Sequence, residues 1–237
     1  MATHHVLPTR ARWNMAVLIL VSMALLGATA CDGDEPADTT AAATTGSDEQ
    51  TSSTDERDII STFDRSFDAA HRITLEIPDG YGNHGFAYLK SGLVETGVSV
   101  WVVDRVYADG CRADGSRIER SPDGTVEGLV ALLADQRGFR VTTPTDVTVD
   151  GFSGTYMERT LPRKTDPIDC FASRFQVWRS RGNGNRYLGH RGQQDLLWIL
   201  DVDGAPLVID APLGSDASEQ DRAEVLEIVD SIQIDPR

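Results

Sequence analysis

The feature that most restricts the folding of this chain is a polar stretch near its start. Residues 32–58 consist mostly of Asp, Glu, Thr, Ser and Ala and contain no aromatic or branched aliphatic side chain. Such a composition cannot bury enough apolar surface to offset the conformational entropy lost on folding. We therefore predict that residues 31–58 form a disordered acidic tether, and that residues 59–237 fold as a single domain.

Residues 1–30 have the features of a secretory signal peptide. Arg10 and Arg12 precede the apolar run MAVLILVSMALLGATA, which spans residues 15–30. This run is shorter than the roughly 18 or more consecutive apolar residues of a membrane-spanning helix. A positive start, a short apolar segment and small residues before a break are typical of exported proteins. The sequence therefore predicts a signal peptide over residues 1–30.

The residue that follows this run, Cys31, lies in a stretch that resembles a bacterial lipobox. The stretch reads Ala28-Thr29-Ala30-Cys31, with alanine at the position where the motif favours leucine. The resemblance implies that Cys31 carries a lipid, and that the protein is extracytoplasmic and anchored through this lipid to the outer face of the cell membrane. Ordinary cleavage that leaves Cys31 unmodified is the alternative.

Two further cysteines lie in the predicted domain, Cys111 and Cys170. An exported chain meets an oxidising environment, which favours a disulfide between them. A metal site would need more ligands at close spacing, and neither cysteine has a CxxC neighbour or a nearby histidine. We expect a disulfide, no metal and no cofactor. The chain is also acidic, with a net charge of −15, which disfavours nucleic acid as a partner.

Apolar patterns and turn residues predict the secondary structure of the domain. Strands are predicted within residues 71–81, 85–92, 97–111, 139–162 (two strands around Asp150-Gly151), 173–180 and 195–212 (a hairpin around Asp203-Gly204). Helices are predicted over residues 125–138, between Thr125 and Gly138, and over residues 218–232, starting at Ser218 and Asp221; residues 56–70 could form a short third helix. Trp101 and Trp198, inside apolar runs, are expected in the core.

This order of elements predicts an α+β fold in which helices cover an antiparallel sheet. The stretches WVVDRVYADGC, GNRYLGHRGQQDLLWILDVDG and VLEIVDSIQID resemble a group of uncharacterised actinobacterial secreted lipoproteins, similar to LpqN-like lipoproteins with a PsbP-type α/β sandwich. The resemblance covers about residues 70–235. It implies a fold and a location, and it supplies no catalytic residues.

Two patterns could indicate an enzyme. The stretch GFSGT at residues 151–155 approaches a nucleophile elbow, but that motif needs glycine where this chain has Thr155. A hairpin turn explains Ser153 better. Asp201 and Asp203 could act as acid and base or hold a metal, although the turn at Asp203-Gly204 explains them better. We therefore predict no catalytic residues.

One segment reverses the acidic character of the chain. Residues 171–194 contain five arginines and no acidic residue. Arginine forks on a glycine-rich backbone can hold a phosphate or a carboxylate, and aromatic side chains such as Trp178 and Tyr187 can stack on a ring. The candidate ligand-binding residues are Arg174, Arg179, Arg181, Arg186, Tyr187 and Arg191. The alternative is a solvated hairpin loop whose arginines pair with acidic residues elsewhere.

These observations predict a membrane-anchored extracytoplasmic lipoprotein, without enzymatic activity, that binds an envelope ligand or a protein partner. The membrane itself is a partner through the lipid on Cys31. An envelope hydrolase with an unrecognised site and a carrier of an apolar ligand are the alternatives.

Overall fold

Strands dominate the part of the chain that the structure describes. The computed structural model describes residues 58–60, 71–112, 116, 118–181 and 184–236. The strands are β1 (Asp58–Ile60), β2 (His71–Leu75), β3 (Tyr81–Asn83), β4 (Ala87–Lys90), β5 (Gly97–Trp101), β6 (Val103–Tyr107), β7 (Glu119–Arg120), β8 (Arg140–Val141), β9 (Thr145–Val149), β10 (Phe152–Thr160), β11 (Phe175–Ser180), β12 (Asn185–Leu188), β13 (Gln194–Val202), β14 (Ala205–Leu213) and β15 (Gln233–Pro236). The α-helices are α1 (Val126–Ala134) and α2 (Glu219–Asp230).

An eight-stranded antiparallel sheet forms the centre of the domain. Its order is β3-β4-β5-β14-β13-β10-β8, with β9 paired to β10. The predicted hairpin of β13 and β14 is confirmed, and Asp203 and Gly204 make its turn with φ of 52° and 82°. Both strands are buried on both faces, which explains their nearly continuous apolar sequence. The predicted hairpin around Asp150-Gly151 is confirmed as β9 and β10.

Two smaller sheets pack on the central one, and each shares a core with it. A three-stranded sheet, β1-β2-β15, and helix α2 share a core with one face, to which Ile73, Leu200 and Ile228 contribute. A four-stranded sheet, β12-β11-β6-β7, and helix α1 share a core with the other face, to which Leu129 and Trp178 contribute. The central sheet therefore lies between two layers.

The predicted α+β fold, in which helices cover an antiparallel sheet, is wrong. Antiparallel strands predominate in the described residues, and the two α-helices have only 9 and 12 residues. The four-stranded sheet occupies much of the face that helices were expected to cover. Its two central strands, β6 and β11, come from apolar runs, 97–111 and 173–180, that the prediction gave to a single sheet.

The predicted long strand over residues 97–111 is two strands in different sheets. β5 pairs with β14 in the central sheet, whereas β6 pairs with β11 in the four-stranded sheet. The break falls at Val102, whose carbonyl accepts hydrogen bonds from the Ser180 hydroxyl at 2.8 Å and the Arg181 amide at 3.1 Å. The chain crosses from one layer to the next at this residue.

The two main helices are confirmed, with one difference in their bounds. Thr125 caps α1 as predicted, but α1 ends at Ala134 rather than near Gly138, and Asp135 is its C-cap. Ser218 and Asp221 form the capping box of α2. Residues 58–60 are a strand and not part of a helix over 56–70. Among the described residues, none of the helices is long and apolar enough to cross a membrane.

The predicted disulfide is confirmed, between Cys111 and Cys170 with 4.7 Å between their Cα atoms. It joins the segment after β6 to the segment before β11, which are neighbours in the four-stranded sheet. The predicted signal peptide of residues 1–30, Cys31 and most of the predicted tether lie outside the described residues.

Candidate functional site

A row of buried polar side chains crosses the central sheet on the face toward the four-stranded sheet. Ser99 on β5 lies opposite Asp210 on β14, and Asp195 on β13 lies opposite Arg159 on β10. All four side chains are buried. Because neighbouring residues of a strand point to opposite faces, these positions share one face across four adjacent strands.

Arg186 extends toward this row from β12, the edge strand of the facing sheet. Its Nε donates to Asp210 Oδ2 at 2.7 Å, and its Nη2 donates to Asp195 Oδ1 at 2.9 Å. Its Nη1 donates to the carbonyl of Tyr187 at 2.7 Å and more weakly to Glu95 Oε2 at 3.4 Å. Arg186 therefore ties three segments of the central layer to the four-stranded sheet.

Arg159 extends the same cluster toward helix α1. Its Nη2 donates to Asp195 Oδ2 at 2.8 Å, and its Nη1 donates to Gln136 Oε1 at 3.0 Å. The rings of Phe139 and Trp178 lie 4.3 Å and 5.4 Å from its guanidinium carbon, which favours the cation. We call Arg159, Arg186, Asp195, Asp210 and Glu95 the buried charge cluster.

Burial shifts the protonation equilibria of this cluster. Removal from water raises the pKa of Asp210 to about 6, although the neighbouring Arg186 opposes this rise. Burial also lowers the pKa of Arg159. Burial opposes the charge of Arg186 too, but the carboxylates of Asp210, Asp195 and Glu95 outweigh it and raise the pKa of Arg186.

An open cleft of about 410 Å³ lies against one end of the buried charge cluster. Its apolar walls come from Phe86 and Leu89, on the β4 side, and from Trp101 and Pro212. Its polar lining includes Glu95, Ser99, Arg186 and Tyr187. Ligand sites in proteins commonly combine apolar walls with a few fixed polar groups, so this cleft is the candidate functional site.

Glu95, which lines the cleft, has a backbone conformation that glutamate rarely adopts. Its φ is 39°, in the left-handed region, and such outliers cluster at functional sites. The neighbouring Thr96 fixes this loop, since its carbonyl accepts from the Lys90 amide at 2.7 Å and its hydroxyl accepts from the Gly214 amide at 3.0 Å. Glu95 Oε2 accepts a hydrogen bond of 2.7 Å from the buried amide of Gln193.

The structure does not bring the predicted ligand-binding residues into one site. Arg186 and Tyr187 line the cleft, and Arg174 lies over the Tyr187 ring with its guanidinium carbon 4.1 Å from the ring centre. The other three arginines pair with separate carboxylates: Arg179 with Glu119 at 3.4 Å, Arg181 with Asp104 at 3.7 Å, and Arg191 with Asp166. These pairs correspond to the alternative in which the arginines neutralise acidic residues elsewhere.

Sequence reasoning missed Glu95, Arg159, Asp195 and Asp210. The sequence did contain an indication of the two aspartates. Asp195 borders the apolar run in QDLLWIL, and Asp210 interrupts the one in PLVIDAP. A charged residue within a strand that is otherwise apolar on both faces indicates a buried ionic contact.

The residues weighed for catalysis have structural roles. Ser153 is exposed beside the turn of the β9–β10 hairpin, and Asp201 Oδ1 accepts a hydrogen bond of 2.7 Å from the Gly204 amide. The Asp203 carboxylate lies 3.0 Å from His71 Nε2. Within the described part of the chain, no three His, Cys, Asp or Glu side chains group as a metal site. Trp101 and Trp198 are buried, as predicted.

A larger groove, of about 680 Å³, lies at the start of α1 beside Ser153, Thr155 and Asp201. Its lining is mostly short polar side chains and glycines, and its Asp201 already stabilises a turn. Its other carboxylates, Glu127 and Asp146, are exposed, and among the described residues no guanidinium group lines the groove in the way that Arg186 lines the smaller cleft.

Comparison with known proteins adds little to this description. No protein-family model and no curated protein matches the chain. Among solved structures, the solution structure of cyanobacterial PsbP from Synechocystis is similar to it, with a TM-score of 0.34 and 11% identity. The match covers 73% of this chain and 91% of that one. With so low a score, the function has to be argued from the residues of this chain.

Proposed function

We propose that this protein is a membrane-anchored extracytoplasmic lipoprotein, without enzymatic activity, that binds a small ligand in the cleft between β4, β5 and β12. The observation that carries the proposal is the juxtaposition of apolar cleft walls with Glu95 and Arg186, which the buried charge cluster holds in place. Side chains that are fixed before binding lose little conformational entropy when a ligand arrives.

Two of the three carboxylates in the buried charge cluster are not placed for catalysis. Asp195 and Asp210 sit behind Arg186 and hold its guanidinium, and neither lines the cleft. A general acid or base must reach the substrate within hydrogen-bond distance, and these two groups are committed to Arg186 instead. An envelope hydrolase that acts in this cleft would have to use Glu95 and His84, which line it.

The anchoring part of the proposal rests on the sequence before the domain. The short apolar run and Cys31 indicate export and lipidation, and the Cys111–Cys170 disulfide is of the kind that forms outside the cytoplasm. A relationship to actinobacterial LpqN-like lipoproteins belongs to the same proposal.

A labelling experiment tests the anchor. Cells grown with an alkyne-bearing fatty acid should incorporate the label into the native protein, which should sediment with membranes. We expect the Cys31→Ala variant to lose the label and to leave the membrane fraction. Equal labelling of both proteins would refute lipidation at Cys31.

A fragment screen tests the cleft. Small amphiphiles are titrated into the full chain in lipid nanodiscs and followed by ligand-observed NMR, with empty nanodiscs as the blank. We expect binding that Phe86→Ala abolishes, because Phe86 forms a cleft wall against Trp101, 4.7 Å between ring centres. Binding should persist in Phe171→Ala, which alters an exposed aromatic residue that does not line the cleft. Ligands that bind both variants equally, or no ligands at all, would contradict the proposal.

A further inference from the structure

We propose that the cleft selects a small organic cation, a protonated amine on an aromatic or aliphatic body, and that Glu95 is the residue that binds its charge. This inference rests on the proposed function, since it requires that the cleft bind a ligand. It assigns a positive charge to the ligand, whereas the arginines of residues 171–194 suggest an anionic ligand.

Arg186 cannot serve as a free anion site. Its Nε, Nη1 and Nη2 atoms already donate to Asp210, Asp195, Glu95 and the carbonyl of Tyr187. Only 8% of its side chain is exposed. These bonds use four of its five N–H groups, so an anion could contact only one Nη2 hydrogen directly. Two-point binding of an anion would displace a buried partner, and the released carboxylate would then lie unpaired in a low-dielectric environment.

Within the buried charge cluster, negative charge is in surplus. Two other groups that can carry a positive charge lie nearby: His84 lines the cleft, and Arg174 lies over the ring of Tyr187. With every group ionised, the carboxylates of Glu95, Asp195 and Asp210 face the guanidinium groups of Arg159 and Arg186. Asp195 and Asp210 each pair closely with a guanidinium, whereas Glu95 contacts Arg186 only at 3.4 Å. The unbalanced charge therefore lies mainly on Glu95.

Glu95 also has an oxygen available for a ligand. Its side chain is 27% exposed and lines the cleft. Gln193 and Arg186 hold Oε2, while Oε1 accepts no hydrogen bond from any residue that the structure describes. A protonated amine can donate to this oxygen, and such charge-assisted hydrogen bonds are about twice as strong as neutral ones.

The rest of the cleft suits the body of such a ligand. Phe86, Leu89 and Pro212 offer apolar surface, and the half-buried Phe86 adds an aromatic ring. The Tyr187 ring already has the Arg174 guanidinium over it. The negative face of an aromatic ring attracts an organic ammonium group, and the apolar body is removed from water at the same time. A strongly hydrated inorganic cation would gain nothing from these walls.

Three probes that share one ring test the inference: benzylamine, benzyl alcohol and benzoate. Each is titrated into the full chain in nanodiscs at pH 7.5 and followed by the same NMR method. We expect benzylamine to bind at least about tenfold more tightly than benzyl alcohol, with benzoate weakest, because a hydrogen bond to a charged group contributes more than a neutral one. Added salt should weaken benzylamine alone.

Glu95→Gln keeps the shape of the side chain and removes its charge. We expect this variant to bind benzylamine no better than benzyl alcohol. Glu127→Gln is the matched control, because Glu127 is exposed on α1 and does not line the cleft. It should bind all three probes as the native chain does. Thermal melting of both variants verifies that each one folds.

The other outcomes separate this inference from the proposed function. Equal binding of benzylamine and benzyl alcohol, or unchanged preference in Glu95→Gln, overturns the cation selectivity but leaves a ligand-binding cleft. Tighter binding of benzoate overturns it in favour of Arg186 as an anion site. If no probe binds, the inference is overturned, and the fragment screen then decides whether the proposed function survives.

Discussion

Asp195 is the residue that joins the two halves of the buried charge cluster. Its Oδ1 accepts from Arg186 and its Oδ2 from Arg159, so a single carboxylate bridges two largely buried guanidinium groups. Buried ion pairs stabilise a fold weakly compared with apolar packing, but they are costly to break. The cluster therefore contributes chiefly to the position of β12 over the central sheet.

The first prediction removes the charge of Asp195. Asp195→Asn should lower the free energy of unfolding by about 3–5 kcal/mol, because the fully buried Arg159 loses its carboxylate partner, whereas Arg186 keeps Asp210 and Glu95. Urea denaturation measures the change. Glu227→Gln, at an exposed position of α2, should stay within about 0.5 kcal/mol of the native value. A loss below about 1 kcal/mol for Asp195→Asn would show that the cluster tolerates an uncompensated charge.

The second prediction concerns Asp210, whose pKa burial raises to about 6 and whose Oδ1 is buried without a hydrogen-bond partner among the described residues. The native state holds this proton to a higher pH than the unfolded chain does. Between about pH 4 and 6 the native state therefore binds more protons, and the free energy of unfolding should fall as the pH rises, by at most about 1.4 kcal/mol per pH unit. Above this window the effect levels off.

Asp210→Asn cannot titrate at this position, so it should lack that part of the pH dependence. Urea denaturation of both proteins at several values between pH 4 and 7 gives the two slopes. Asparagine can still accept hydrogen bonds from Arg186 and Ser99, which limits other changes. Parallel slopes for the two proteins would contradict the assignment to Asp210.

Among the elements, the run over residues 97–111 shows what sequence patterns can and cannot establish. Its apolar content predicts strand structure and an interior position, and both β5 and β6 are interior strands of their sheets. The change of sheet at Val102 depends on hydrogen bonds from Ser180 and Arg181, about 80 residues later in the chain. Local patterns contain no information about such distant partners. The four-stranded sheet, and with it the fold class, could therefore not be predicted.

The third prediction tests how closely β10 and β13 approach each other. A Cβ atom built at Gly154 would lie 2.1 Å from the carbonyl oxygen of Ile199, which is backbone and cannot rotate away. Gly154→Ala should therefore separate the two strands and lower the free energy of unfolding by about 2–4 kcal/mol, in the range of other severe packing defects.

Ser153→Ala is the matched control for this substitution. Ser153 is the preceding residue of the same strand and is exposed, so the change should cost less than about 0.5 kcal/mol. Thermal and urea denaturation of both variants give the comparison. If Gly154→Ala were as stable as Ser153→Ala, the two strands would have to pack less closely than the structure shows.

Across the whole molecule, the candidate site joins residues from distant parts of the chain. Glu95, Arg159, Arg186 and Asp210 belong to four different segments, and strand register together with the packing of the four-stranded sheet on the central one brings them together. The cluster of arginines in residues 171–194 was visible in the sequence, and two of its predicted ligand-binding residues, Arg186 and Tyr187, line the cleft. Their carboxylate partners were not visible, and these partners are the reason for proposing a cationic ligand.

The last prediction concerns the Cys111–Cys170 disulfide, which constrains the layer that carries Arg186. The two cysteines are 59 residues apart, and in the chain-entropy model closing a loop of this length stabilises the fold by about 4 kcal/mol. The double variant Cys111→Ala, Cys170→Ala should lose about this much, measured by urea denaturation. Cys31→Ala, outside the predicted domain, is the control and should keep the native stability.

The same double variant separates stability from binding. Neither cysteine lines the cleft, and neither is a hydrogen-bond partner of Arg186 or Glu95. In conditions where the variant remains folded, it should therefore bind the cleft ligands as the native protein does. Loss of binding by the folded variant would mean that the disulfide, and not the buried charge cluster alone, fixes the position of β12.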